Sequence, residues 1–214
     1  VYTVTYDATD AAGNAATTIT VTGVTFDTTA PTISSVNLSN NDTVKNANIG
    51  YTLSEAIASG SIVWTRTSGT ADGSSPHTAA LAGTELNSGT FSTAALANAP
   101  TLVDGTIYTV TYDSTDAAGN AATTITVTGV TFDTTAPVIS SVNLSNNDKV
   151  KNANIGYTLS EAIASGSIVW TRTGGTVDGS SPHTAALAGT ELNTGTFSTA
   201  ALTNAPTLVD GTVY

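Results

Sequence analysis

The stretch IYTVTYDSTDAAGNAATTITVTGVTF, residues 107–132, determines the predicted fold. Apolar and polar residues alternate in its first part, so Tyr108, Val110 and Tyr112 share one face of an extended chain. A period of two is typical of a half-buried β-strand. The run DAAGN favours a tight turn, and the apolar face changes sides at Gly129, which is typical of a β-bulge. The stretch therefore predicts a pair of strands joined by a turn.

The same hairpin sequence opens the chain, because the whole sequence repeats with a period of 106 residues. Residues 1–108 and 107–214 differ at only nine aligned positions. A repeat of this length has the size of a domain. We therefore predict the last two strands of a preceding domain in residues 1–27, a complete domain in 28–133, and a domain that lacks its last two strands in 134–214.

The rest of the complete repeat also shows strand patterns and no helical spacing. Strands are predicted at residues 32–39, 48–54 and 60–67, and weaker strand patterns occupy residues 78–86 and 89–96. About seven short strands in a domain of this length predict an all-β fold. The fold class that we expect is a tandem array of immunoglobulin-like, Greek-key β-sandwich repeats.

Two aromatic positions agree with a sandwich. Trp64 lies on the third predicted strand, where sandwiches of this type bury a large aromatic side chain. The run LVDGTIYTV, residues 102–110, resembles the tyrosine corner of fibronectin-type and immunoglobulin-like domains. In that motif Tyr108 would tie the preceding loop to the sandwich.

Composition restricts the possible partners. Sixteen acidic residues against five basic residues give a net charge of −11. This balance disfavours nucleic acid, which requires a basic surface, and favours a cationic partner such as a metal ion. The chain has no cysteine, so disulfides and thiolate metal sites are excluded. No apolar run approaches the roughly 20 residues that span a bilayer.

Catalytic chemistry is the least expected function. His77 and His183 are the same Gly/Ser-rich loop position in two repeats, and no phosphate-binding or dinucleotide fingerprint is present. We expect His77 to lie at the surface, and we expect Asp72 and Glu85 to be solvated loop residues.

Acidic residues from three separate segments are expected to meet at one pole of the complete sandwich. The linker FDTTAP, the loop after the second strand and the turn before the last strand lie at the same end of this topology. Together these segments contribute Asp27, Glu55, Asp113, Asp116 and Asn120. Carboxylates that converge repel one another, and Ca²⁺ with six to eight oxygen ligands relieves that repulsion. The sequence therefore predicts a calcium site at the joint between domains.

Further acidic residues are candidates for related sites. Asp104 is expected to face the following joint, to which Asp133 and Glu161 belong. Asp7 and Asp10 are the equivalents of Asp113 and Asp116 in the hairpin at the start of the chain. A simpler interpretation stays open, because DAAGN is also a good turn without a metal and the proline of DTTAP favours an extended linker.

The distribution of these acidic residues is similar to that of cadherins, in which calcium bridges consecutive domains. The whole chain, with its motifs FDTTAP, LSEAI and YDATDAAGN, resembles the bacterial Ig-like repeats of large surface adhesins. The resemblance implies export to the bacterial surface and a role as an extender between an anchor and a binding tip.

The sequence is compatible with three functions. The first is a structural spacer whose joints are made rigid by calcium, with neighbouring repeats as partners. The second is a self-assembling extracellular filament or surface-layer subunit, in which residues 1–27 of one copy complete residues 134–214 of another. The third is a carbohydrate-binding module, which is disfavoured because Trp64 and Trp170 are expected to be buried. A window cut from a longer array fits the first function.

Overall fold

The structure is a computed structural model that describes residues 1–214. It divides into two units, Val1–Thr134 and Thr135–Tyr214. Its only helical elements are two 3₁₀ turns of four residues, Gly83–Leu86 and Gly189–Leu192. No helix has the length and apolar character that a membrane span requires. The all-β prediction is confirmed.

The first unit contains a hairpin followed by a sandwich. Its strands are β1 Tyr2–Tyr6, β2 Ile19–Val24, β3 Ile33–Ser34, β4 Thr43–Val44, β5 Ile49–Leu53, β6 Ser59–Gly69, β7 His77–Ala80, β8 Gly89–Ala94, β9 Thr106–Thr115 and β10 Ile125–Phe132. Strands β1 and β2 pair only with each other. The sandwich has a sheet in the order β4-β10-β9-β6-β7 and a second sheet in the order β3-β5-β8. These pairs are antiparallel except β4 with β10, which is parallel.

The core of the sandwich lies between these two sheets. In β9, buried and half-buried residues alternate along all ten positions, so the predicted face of Tyr108, Val110 and Tyr112 is the buried one. Trp64 is also fully buried, as expected, and its ring meets that of Tyr108 edge to face at 5.8 Å. Burying each such large side chain stabilises the fold by about 1.5–3 kcal/mol.

The predicted bulge in β10 is present. The register between β9 and β10 shifts between Val127 and Val130, and Gly129 has a φ of 75°. A Cβ atom at Gly129 would lie 2.5 Å from the side-chain oxygen of Asn41. Glycine is therefore required here both by backbone conformation and by space.

The predicted tyrosine corner also forms, and it contains more than the sequence indicated. The Tyr108 hydroxyl accepts a hydrogen bond from the Val103 N–H at 3.1 Å and donates one to the Asp72 carboxylate at 2.7 Å. His77 contacts the same carboxylate oxygen at 2.6 Å, and the Asp72 side chain is only 1% exposed. The expectation of a solvated loop at Asp72 and a surface position for His77 is therefore wrong.

Glu85 is likewise buried rather than solvated. Its two carboxylate oxygens accept hydrogen bonds from the N–H groups of Ala82 at 2.7 Å and Ala97 at 2.6 Å. The Tyr51 hydroxyl donates to the Glu85 carbonyl at 2.6 Å. Buried N–H groups of irregular segments need acceptors, and this carboxylate supplies two of them.

The first strand is shorter than predicted. The sequence pattern over residues 32–39 forms β3 only at Ile33–Ser34, because Ser35 adopts a φ of 50° and ends the extended conformation. Asn37 then pairs with Gly50 through its backbone and through its side-chain oxygen, which accepts the Gly50 N–H at 2.7 Å. The chain thus continues beside β5 without forming a regular ladder.

The second unit has the same order of elements over the residues that it contains. Its strands are β11 Ile139–Ser140, β12 Ile155–Leu159, β13 Ser167–Trp170, β14 Gly174–Gly175, β15 His183–Ala186, β16 Gly195–Ala200 and β17 Thr212–Val213. They form three small sheets, β11-β12-β16, β13-β15 and β14-β17. Strand β6 of the first unit corresponds to two separate pieces here, β13 and β14. Of these, β13 pairs only with β15. Trp170 is 8% exposed, which confirms the expected burial.

Candidate metal centre

Three of the predicted ligands come together at one end of the first sandwich. Asp27 follows β2 in the linker, Glu55 follows β5, and Asp116 follows β9. One carboxylate oxygen from each lies within 4.8 Å of those of the other two. Asp116 is 4% exposed, and Asp27 and Glu55 are half-buried. The fold therefore produces the acidic convergence that its topology predicts for these three residues.

Asp116 is held in place by the turn that it begins. One of its carboxylate oxygens accepts the N–H groups of Ala118 at 2.9 Å and Asn120 at 2.8 Å. The other accepts the Asn120 side-chain amide at 2.8 Å. The side-chain hydrogen bond from Asn120 is the largest cause of a lowered pKa at Asp116. The carboxylate is therefore ionised at neutral pH and fixed in orientation.

Asn120 connects this turn to the linker. Its side-chain nitrogen lies 3.3 Å from the carbonyl oxygen of Asp27 and 3.5 Å from that of Thr29. The Asn120 side-chain nitrogen thus donates to its neighbours here, whereas the sequence predicts Asn120 as an oxygen ligand of the metal. The two linker carbonyls beside it were not predicted, because backbone oxygens leave no signal in the side-chain pattern.

The first hairpin contains the same turn without the other acidic residues. Asp10 accepts the N–H groups of Ala12 and Asn14 at 2.9 and 2.8 Å, and the Asn14 side chain at 2.8 Å. Its pKa is lowered, mainly by that Asn14 side chain. Asp10 is exposed and belongs to no group of three potential ligands. Turn chemistry therefore explains the conformation of both turns, but it does not require Glu55 or Asp27 beside Asp116.

The donor set at Asp27, Glu55 and Asp116 suits a hard cation. All three side chains offer carboxylate oxygens as metal ligands, and this is the ligand type that Ca²⁺ prefers. Two oxygens that bind one Ca²⁺ at about 2.4 Å lie at most about 4.8 Å apart, and the three oxygens meet this limit. The residues present therefore fit a calcium ion.

Comparison with known families gives the domain type. A family model described as bacterial Ig-like domain matches residues 27–134. The chain belongs to the bacterial Ig-like domain family. Such domains are typically non-enzymatic, structural modules of bacterial surface proteins. The comparison with curated proteins finds no significant match, and neither does the comparison with solved structures.

Two predicted candidates of the hairpins lie outside the group of three. Asp113 of the complete Ig-like domain accepts a hydrogen bond from the hydroxyl of Thr124, which immediately precedes the facing strand β10. In the first hairpin, the Thr18 hydroxyl donates to Asp7 at 2.6 Å in the same way. In both copies this contact joins the two chain segments that flank the turn. It gives these carboxylates a structural partner.

The remaining candidates, Asp104, Asp133 and Glu161, are those that the sequence predicts for the following joint. Asp104 accepts the N–H and the hydroxyl of Thr134 at 2.5 and 2.8 Å. The Asp133 N–H donates to the Val44 carbonyl at 2.9 Å, which extends the contact between β10 and β4. In the second unit, Glu161 has one buried carboxylate oxygen with no hydrogen-bond partner. The metal roles of Asp104, Asp133 and Glu161 stay predictions.

Proposed function

We propose that this Ig-like chain is a structural spacer of a repetitive bacterial cell-surface adhesin or extracellular fibre, whose joints are made rigid by Ca²⁺. The observation that supports the proposal best is the convergence of Asp27, Glu55 and Asp116 within 4.8 Å. The proposed location is the extracellular bacterial surface. Calcium sites of extracellular modules have dissociation constants of about 10⁻⁴–10⁻³ M.

Electrostatics gives the reason for a bound cation. Asp116 is almost completely buried, and low solvent exposure strengthens its repulsion from Asp27 and Glu55. A divalent cation converts this repulsion into attraction without loss of the turn hydrogen bonds. An unpaired buried carboxylate oxygen is itself costly, and the one at Glu161 supports the same role for the equivalent position of the second repeat.

The position of each ligand in the chain explains how an ion would restrict bending. Asp27 belongs to the linker, whereas Glu55 and Asp116 belong to loops of the sandwich that follows. An ion held by all three ties the linker to the domain at a second point, in addition to the contacts of Asn120 with the linker carbonyls. A string of acidic domains then becomes stiffer when calcium is present.

Thermal unfolding and small-angle X-ray scattering with calcium or with a chelator test the proposal. At calcium concentrations about 100 times the dissociation constant, binding contributes about 2.7 kcal/mol. For a domain of about 100 residues this corresponds to a rise in Tm of roughly 10–20 °C. The scattering curve should show a less flexible particle with calcium.

Glu55→Gln provides the matched variant, because it removes one charge of the group and keeps nearly the same shape. Its Tm should respond to calcium much less than that of the wild type. If calcium changes neither the Tm nor the scattering of the wild-type chain, the metal has no role at the joint. The chain would then be a structural spacer whose joints do not respond to calcium.

A further inference from the structure

The complete domain has its two chain connections at opposite ends of strand β10. The entry linker lies near the start of β10, because the carbonyl oxygen of Asp27 is 3.3 Å from the side-chain nitrogen of Asn120, in the turn before this strand. The chain leaves the domain at Asp133, directly after the end of β10. Tension along the chain therefore acts along β10 and pulls the two ends of the domain apart.

Segment 40–44, which includes strand β4, is bonded to β10 near its end. The Thr131 N–H donates to the Asp42 carbonyl at 2.8 Å. The Asp133 N–H donates to the Val44 carbonyl at 2.9 Å. The two strands are parallel, and β4 is the outermost strand of this sheet. On that side of β10, segment 40–44 is therefore the part of the sheet that holds the strand in place.

Two asparagines fix the same segment to the bulge of β10. The Asn40 side-chain oxygen accepts the Thr128 N–H at 2.8 Å, and the Thr128 hydroxyl lies 3.3 Å from the same oxygen. The Asn41 N–H donates to the Thr128 carbonyl at 2.9 Å. The Asn41 side chain lies against Gly129, where a Cβ atom would come within 2.5 Å of its oxygen. Both main-chain polar groups of Thr128 are thus satisfied by segment 40–44.

The parallel direction of the two strands decides how tension loads these hydrogen bonds. The chain enters near the start of β10, passes through β3 to segment 40–44, and leaves from the end of β10. Tension therefore pulls segment 40–44 towards one end of the sandwich and β10 towards the other. The hydrogen bonds run across the strands, so they are loaded in shear and must break together.

Strand β3 precedes segment 40–44 on the path of the load. It pairs with β5 only at Ile33 and Ser34, and Ser35 ends the extended conformation with a φ of 50°. If β3 detaches, the load passes to segment 40–44. The bonds of that segment to β10 then connect the entry and the exit of the domain directly.

We infer that the contact of segment 40–44 with β10 is a mechanical clamp that carries tension through the Ig-like domain, with Asn40 as its side-chain lock. The inference rests on the proposed spacer role, because only a chain under tension uses such a contact. It does not rest on calcium. Forced unfolding is governed by the unfolding rate, so the few hydrogen bonds in the path of the load can decide how long the domain survives.

Single-molecule force spectroscopy in two pulling directions tests the clamp. The chain has no cysteine, so introduced cysteines at exposed positions define the points of attachment. Thr28→Cys/Ala136→Cys loads the clamp in shear. Lys45→Cys/Ala136→Cys is the matched control, because Lys45 follows β4 at the end of the ladder next to Asp133 and tension there opens the bonds one at a time. At the same force, the first variant should unfold at least about 10-fold more slowly, because several hydrogen bonds contribute to its barrier together.

Substitutions of Asn40 test the lock in the shear direction. Asn40→Ala removes the acceptor of the Thr128 N–H, and the domain should unfold about 2–10-fold faster at the same force, as expected for one lost hydrogen bond. Asn40→Asp keeps an acceptor oxygen and should restore the wild-type rate. Asn98→Ala is the control, because the Asn98 side chain donates to the Ala80 carbonyl at 2.8 Å, after the strand at the opposite edge of the sheet. It should leave the rate under force unchanged.

Urea unfolding separates the clamp from ordinary stabilisation. Asn40 and Asn98 are both exposed, so both alanine variants should fold and shift the unfolding midpoint by similar small amounts. Equal unfolding rates in the two pulling directions would overturn the inference. So would equal rates of Asn40→Ala and Asn98→Ala in shear. A chelator is present throughout, so failure of the clamp leaves the calcium proposal intact, and a chain that binds no calcium leaves the clamp intact.

Discussion

The hairpins β1–β2 and β9–β10 have nearly the same sequence and the same internal pairing. Tyr6 lies opposite Ile19 as Tyr112 lies opposite Ile125, and the register shift recurs at the equivalent place. The second hairpin, however, is the centre of a five-stranded sheet, whereas the first pairs only with itself. Local sequence is therefore sufficient for the turn, the bulge and the register, and the surrounding sheet decides burial.

The acidic turns differ in the same way. Asp10 and Asp116 make equivalent hydrogen bonds to their own turns, but only Asp116 has Asp27 and Glu55 beside it. The potential ion site is thus a property of the assembled sandwich. Each pair of equivalent residues forms a natural control, in which one substitution is made in two environments.

The largest difference should come from the tyrosines at the end of the first strand of each hairpin. Tyr112→Ala removes a fully buried aromatic side chain and should lower the free energy of unfolding by about 3–5 kcal/mol. Tyr6→Ala should change it by less than about 0.5 kcal/mol, as exposed substitutions do. Urea unfolding in a Trp170→Phe background, in which Trp64 fluorescence reports on the complete domain, measures both. Equal losses would contradict the difference in burial.

A smaller difference is expected at the bulge glycines. Gly129 and Gly23 have φ values of 75° and 77°, so alanine at either position costs about 1–2 kcal/mol of backbone strain. Only at Gly129 would the new methyl group also meet Asn41. Gly129→Ala should therefore destabilise the complete domain, and Gly23→Ala should leave its unfolding midpoint unchanged. The same urea titration separates the two.

The smallest effect should be the pH dependence that the tyrosine corner provides. Hydrogen bonds from His77 and then from Tyr108 are the main causes that lower the pKa of Asp72 to about 2. Because this pKa is lower than in the unfolded chain, Asp72 contributes stability above about pH 4, and that contribution is lost as the pH falls towards 2. Tyr108→Phe should flatten the fall of Tm between pH 4 and 2, and Tyr2→Phe should not. Parallel curves for both variants would exclude a role of Tyr108.

Several features were predictable because they depend on neighbours in sequence. Alternation fixed the buried face of Tyr108 and Tyr112, and the change of parity at Gly129 indicated the bulge. The meeting of Asp27, Glu55 and Asp116 was predictable because a sandwich brings these three connections to one end. Once the order of strands is known, such positions follow without any knowledge of packing.

Other features depend on partners that the sequence does not place. Glu85 is buried because the N–H groups of Ala82 and Ala97 need its carboxylate, and nothing in the local pattern indicates the second of these. Asp72 similarly depends on Tyr108, 36 residues further along the chain. An acidic residue in a Gly/Ser-rich stretch has the same local pattern whether or not such a partner exists.

Calcium titration by isothermal calorimetry, with the same substitution made in the two hairpin turns, measures whether Asp27, Glu55 and Asp116 bind Ca²⁺. The wild-type chain and Asp10→Asn should bind calcium with the same stoichiometry. Asp116→Asn and Glu55→Gln should each lose one site. Binding that persists unchanged in Asp116→Asn and Glu55→Gln, or a wild-type chain that binds no calcium, would exclude a calcium site at these residues.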